Sequence, residues 1–192
     1  MLPSSVLGAW GGIEAPVDGR VIEARFRWNG PGSPATDYDR ACDVRAWAAP
    51  IAVGEAVGIV FGDEPGQAAW WRGDDGGLLV RWLFAPSEAA VEKALRAGVD
   101  ADWADAFEWP LAGKAVLIDS SVPGHEAAAE ASTLKIPLRA GRWRVETAHW
   151  SPDAAISMVV HRFTRLTAAA PRARSARTRS PAKRGTARRG RR

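Results

Sequence analysis

After Leu166 the chain contains no Ile, Leu, Val, Phe, Trp or Tyr. Residues 167–192 are built from Ala, Arg, Ser, Thr, Pro, Gly and one Lys. Such a segment cannot bury enough apolar surface to offset the entropy of ordering it, so it is expected to be disordered. The folded unit must come from residues 1–166, which hold all ten Trp, all five Phe and the single Tyr. That length suits one globular domain burying roughly 70% of its unfolded surface.

Charge divides at the same place. Ten of the 26 Lys and Arg residues follow Leu166 and none of the 22 Asp and Glu residues do, which leaves 16 against 22, a formal −6, for residues 1–166. The net +4 of the whole chain therefore comes from its tail and says nothing of what the domain binds. The tail suits weak, salt-sensitive, non-specific association with nucleic acid. It lacks the aromatics that stack on bases. One cysteine, Cys42, rules out an intramolecular disulfide and a cysteine-based zinc site. The first residues lack the basic and apolar regions of a secretion signal, and no apolar run approaches a membrane span. A cytoplasmic protein without a membrane partner is expected.

Most of the domain punctuates like antiparallel β-structure. Ile22 to Trp28 alternates, putting Ile22, Ala24, Phe26 and Trp28 on one face of an expected strand. Ala56 to Phe61 reads as a short buried strand. Ala68–Arg72 and Leu78–Phe84 flank Gly73-Asp74-Asp75-Gly76-Gly77, the clearest hairpin. A second hairpin is expected from Thr133–Leu138 and Arg142–Thr147 across Arg139-Ala140-Gly141. Lys114–Asp119 and Ile156–Phe163 supply further strands. One helix is well marked: Ser87 caps Glu88–Ala97, Gly98 stops it, and Val91 and Leu95 form its inner stripe. A shorter helix is expected from Tyr38 to Ala48, where Tyr38, Cys42 and Ala46 recur at helical spacing. The fold class is mainly β (α+β), an antiparallel sandwich or curled sheet with one or two helices. Trp70 and Trp71, adjacent in a strand, must point to opposite faces, so one needs a second buried layer or an exposed position.

Catalytic chemistry finds no support. His125, His149 and His161 have no second ligand at i+2 or i+4. Ser120-Ser121 lacks a nucleophile elbow, and neither a phosphate-binding loop nor a dinucleotide fingerprint occurs. No catalytic residue, metal or cofactor is assigned. The paired acids Asp37/Asp39, Asp63/Glu64 and Asp74/Asp75 stand where turns and helix starts favour Asp, and they also offer surface recognition.

Six stretches stand out in order along the domain: Trp10-Gly11-Gly12, Asp37-Tyr38-Asp39-Arg40-Ala41-Cys42, Gly62-Asp63-Glu64-Pro65, Gly76-Gly77-Leu78-Leu79-Val80-Arg81-Trp82, Gly141-Arg142-Trp143-Arg144-Val145-Glu146-Thr147 and Ser157-Met158-Val159-Val160-His161-Arg162-Phe163. Together they resemble the immunity protein 21 family of bacterial polymorphic toxin systems. In order they span most of residues 6–165; the tail lies outside. The resemblance implies a protein that neutralises a cognate toxin by binding it, without catalysis or cofactor. An acidic domain meeting a cationic toxin makes Asp37, Asp39, Asp63, Glu64, Asp74 and Asp75 the candidate contacts, with Trp70 or Trp71 as anchor. Two other readings compete: a nucleic-acid-associated accessory protein acting through the Arg-rich tail, and a β domain binding a small molecule in a Trp-lined pocket.

Overall fold

The computed structural model describes residues 1–17, 19–62, 66–129 and 133–167. In chain order the strands are β1 Leu2–Pro3, β2 Ala49–Val53, β3 Ala56–Val60, β4 Ala68–Gly73 and β5 Gly76–Phe84. They continue as β6 Ala104–Leu111, β7 Ala115–Leu117, β8 Leu134–Ile136, β9 Gly141–Asp153 and β10 Ile156–Arg165. The helices are α1 Asp37–Cys42, α2 Glu88–Ala97 and α3 Gly124–Ala127, with a 3-10 turn at Ser4–Ala9.

Two-residue alternation builds the central sheet, of order β4-β5-β10-β9-β6, with every pairing antiparallel. Leu79, Trp109, Trp143, Val145 and Phe163 turn to one face, where they pack on Met1, Ile59, Ala115 and Ile136. Ile59, Ala115 and Ile136 belong to two smaller sheets, β1-β7-β8 and β2-β3, and Met1 directly precedes β1. Val80, Ala148, Trp150, Met158 and Val160 turn to the other face and meet Val91 and Leu95 of α2. The result is an antiparallel sandwich backed by a helix, the mainly β class expected. Trp70 packs with the first group and Trp71 with the second, so each finds a layer and both are half-buried.

Local signals account for the elements read correctly. The Ser87 hydroxyl accepts from the Ala90 amide at 3.2 Å, and Gly98 ends α2 at φ 104°. The β4–β5 hairpin closes on Asp74-Asp75, with Gly73 opposite Gly76. At φ +149° a Cβ on Gly76 would lie 1.9 Å from the Phe163 carbonyl oxygen, so only glycine fits.

Three expectations are corrected. Residues 20–28 form no strand, because side-chain carboxylates take amides that a strand would offer to a neighbour: Asp43 accepts from Arg25 and Phe26, and Asp39 from Trp28. The helix after Thr36 stops at Cys42 and not at Ala48. Asp37, Asp39 and Ala41 are its buried residues, whereas Ala46 is exposed. Residues 133–147 form no hairpin: β8 pairs with β7, and β9 with β6 and β10. There the connection folds on itself, the Leu138 amide donating to Ile136 O at 2.8 Å and the Trp143 indole to Arg139 O at 3.0 Å. The basic tail expected from Thr167 lies, beyond Thr167 itself, outside the described residues.

Candidate functional site

The sequence-selected acids divide into three groups. Asp37 and Asp39 are fully buried, so they are removed from any contact surface. Thr36 and Asp39 form a reciprocal cap on α1, the hydroxyl accepting from Asp39 N at 3.1 Å and the carboxylate from Thr36 N at 2.9 Å. The second Asp39 oxygen accepts the Trp28 amide at 2.8 Å. Asp37 accepts from Gly11 N at 2.8 Å, Arg40 Nε at 2.9 Å and Arg20 at 3.4 Å. Burial without such partners would cost several kcal/mol per carboxylate, so both acids are wired to the loop that precedes them. The helix-start reading of this pair is the one the geometry fits.

Asp74 and Asp75 form the second group, exposed at the β4–β5 tip. The backbone of the tip is tied to the end of β10, the Arg165 amide donating to the Asp75 carbonyl at 3.4 Å. Beneath the tip, Trp70 stacks against Phe163 at 5.5 Å, and Arg96 lies 6.0 Å over the Trp71 ring. The third group, Asp63 and Glu64, lies outside the described residues.

A feature the strand reading concealed is the loop before α1. From Trp10 to Thr36 the described residues contain neither helix nor strand, yet Ile13, Val17, Val21, Phe26 and Trp28 are exposed there. The amide of Arg25 holds the Asp43 carboxyl below the usual carboxylate range. Trp28 stands edge-on to Tyr38, ring centroids 5.6 Å apart. Tyr38 in turn lines a cleft of about 1040 Å³ together with Trp10, Cys42, Arg45, Trp47, Phe61 and Arg81. Burial pushes the Cys42 thiol up, and the hydrogen bond that the Tyr38 hydroxyl donates to Cys42 raises Tyr38, so neither is tuned as a nucleophile or base at neutral pH.

The histidines do not converge. His161 is buried, its Nδ1 2.9 Å from Thr147 Oγ1 and its ring stacked at 4.5 Å on Phe61. Burial first, and the nearby Arg81 second, lower its pKa to about 3. His149 Nε2 lies 2.8 Å from Ser157 Oγ. His125 lies beside Glu14 and Glu126, the one ligand-like group among the described residues, and all three are exposed. Also among the described residues, no helix is long and apolar enough to cross a membrane.

Sheet, cleft and pinned loop together define a small antiparallel β domain with one helix-backed face. Over residues 1–155 the chain matches the family described as immunity protein 21, and it belongs to that family. No curated protein and no solved structure matches it.

Proposed function

We propose that this chain is a non-catalytic, cytosolic immunity protein that binds and neutralises a cognate polymorphic toxin. Membership of the immunity protein 21 family across residues 1–155 carries the reading. Two physical features support it. The formal −6 of residues 1–166 favours encounter with a cationic toxin. Half-buried aromatic and exposed carboxylate groups supply contact chemistry, with Trp70 and Trp71 beneath Asp74 and Asp75 at the hairpin tip. Asp63 and Glu64, which follow β3, stay in the proposed contact set. Residues 1–166 are proposed as the active unit, with the Arg-rich tail dispensable.

The test is protection of cells that express a candidate toxin module, chosen by inspecting the genes that neighbour this one. Full-length protein and a chain ending at Leu166 are both expected to protect. Protection by neither overturns the reading. Protection lost only on truncation transfers the activity to the tail.

A further inference from the structure

A sheet edge is a row of unpaired amides and carbonyls, and folded proteins blunt such rows with proline, lysine, irregular register or a cover. Among the described strands every free edge but one is blunted. β1 ends in Pro3, β2 holds Pro50, and β8 is three residues long with Lys135 at its centre. β6 carries Pro110 and a register shift between Ala104 and Phe107. The outer side of β3 is bonded to Met1, whose carbonyl accepts the Ile59 amide at 2.8 Å. β4 has no proline, no lysine and no register shift. Ala68 to Gly73 pair without interruption with Arg81 to Gly76 on one side, and no described strand pairs with the other.

Register fixes which groups are open. The Trp82 amide donates to the Gln67 carbonyl at 2.9 Å, so Gln67, Ala69 and Trp71 bond β5, and the amides and carbonyls of Ala68, Trp70 and Arg72 turn outward. Among the described residues these outward groups have no hydrogen-bond partner. Alternate open residues are what an added strand requires. The side chains suit one as well. Trp70 packs into the core on one face of the sheet and Trp71 into the core on the other, and both stay half-buried because β4 is the last strand on its side. β5 runs past the start of β4 to Leu83 and Phe84, which are 47% and 55% exposed.

Charge selects the occupant. Residues 63–76 hold Asp63, Glu64, Asp74 and Asp75 against one cation, Arg72, a formal −3. The neighbouring cations do not reverse this. Arg81 is buried and donates to Gly62 O at 2.8 Å, Arg96 is paired with Glu92 at 2.8 Å, and Arg165 turns to Ala140 O at 3.3 Å. A second copy added along the same edge would set two acidic segments side by side, whereas a cationic strand meets the opposite sign.

We infer that the outer edge of β4 is where the toxin docks, and that the occupant is an extended, net cationic toxin segment joining the five-stranded sheet through Ala68, Trp70 and Arg72. This rests on the immunity reading and deepens it: the acidic tip flanks the edge and draws the strand to it.

Amide hydrogen exchange tests it, on the full chain alone and mixed with a catalytically inactivated candidate toxin module that the chain neutralises in cells. The amides of Ala68, Trp70 and Arg72 are expected to exchange about tenfold more slowly or better in the complex, while those of Ala69 and Trp71, already bonded to β5, change little. A complex that leaves exchange at the outward amides unchanged overturns the inference. Titration calorimetry adds a second arm. Arg72→Pro removes one outward amide and leaves the β5 ladder in place, so it should bind about tenfold more weakly than Arg72→Ala. Equal binding by the two overturns the edge. Asp74→Lys/Asp75→Lys should weaken binding about tenfold at low salt and less at high salt, and tighter binding overturns the cationic chemistry of the occupant. Outward amides already protected in the free chain, with a dimer by sedimentation, would make a second copy the occupant and overturn the toxin strand. Should Arg72→Pro fail to fold, exchange on the parent decides. A parent that neutralises no module overturns the immunity reading, and this inference with it.

Discussion

Asp39 accepts the Trp28 amide at 2.8 Å, across a separation of eleven residues, with the carboxylate that also closes the cap of α1. One buried side chain thus fixes both a helix start and an exposed aromatic. Asp39→Ala is expected to cost about 2–4 kcal/mol, since it unpairs buried amides as well as removing a cap. Urea unfolding measures the loss. Tryptic cleavage at Arg20, Arg25 and Arg27 should quicken in the same variant. A stability loss with cleavage there unchanged would separate the cap from the loop.

His161 makes stability depend on pH. Its folded pKa of about 3 lies below the ordinary value of 6.5, so between those values the unfolded chain binds a proton that the folded chain refuses. The sign follows: this contribution is complete above pH 6.5 and is lost as pH falls towards 3, by at most about 1.4 kcal/mol per pH unit. Its Nε2 has no hydrogen-bond partner among the described residues, which leaves the charged ring without compensation. Denaturant melts from pH 3 to 8 on the parent and on His161→Phe check this. A parent slope that the substitution does not flatten assigns the pH dependence to other groups.

Gly76→Ala tests the hairpin tip. The added methyl would collide with the Phe163 carbonyl and press the Trp143 ring at 3.2 Å, at a φ of +149° that L side chains rarely adopt. A loss of more than about 1 kcal/mol is expected, because strain adds to the backbone term. Thermal melting followed by tryptophan fluorescence reads it, and a melting temperature equal to the parent's would refute the geometry.

Much of this architecture is legible in local spacing. Ser87, Glu88 and Gly98 mark α2 unaided, and the glycines around Asp74-Asp75 mark the central hairpin. What the sequence hides is pairing across distance. The alternation from Ile22 to Trp28 is a sound local strand signal, defeated by carboxylates eleven to eighteen residues away that capture its amides. Strands β2 and β6 carry Pro50 and Pro110, which weaken a strand reading, yet β6 is an edge strand, where a missing donor costs little. For the site, exposed Asp74 and Asp75 were visible as turn residues. The burial of Asp37 and Asp39 was not, since a capping acid and a contact acid look alike until their partners are placed. The exposure of Phe26 and Trp28 is not legible either, because their alternation reads as the core face of a strand.

β10 is the last strand among the described residues, yet it lies between β5 and β9 at the middle of the five-stranded sheet. Synthesis therefore delivers the keystone last. Until residues 156–165 emerge, the β4–β5 and β6–β9 ribbons face each other with open hydrogen-bonding edges, a state prone to mispairing with other chains. The family match stops at residue 155, directly before that strand. A polypeptide cut at the limit of the match would keep every matched residue and lose the piece that joins the two halves of its own sheet.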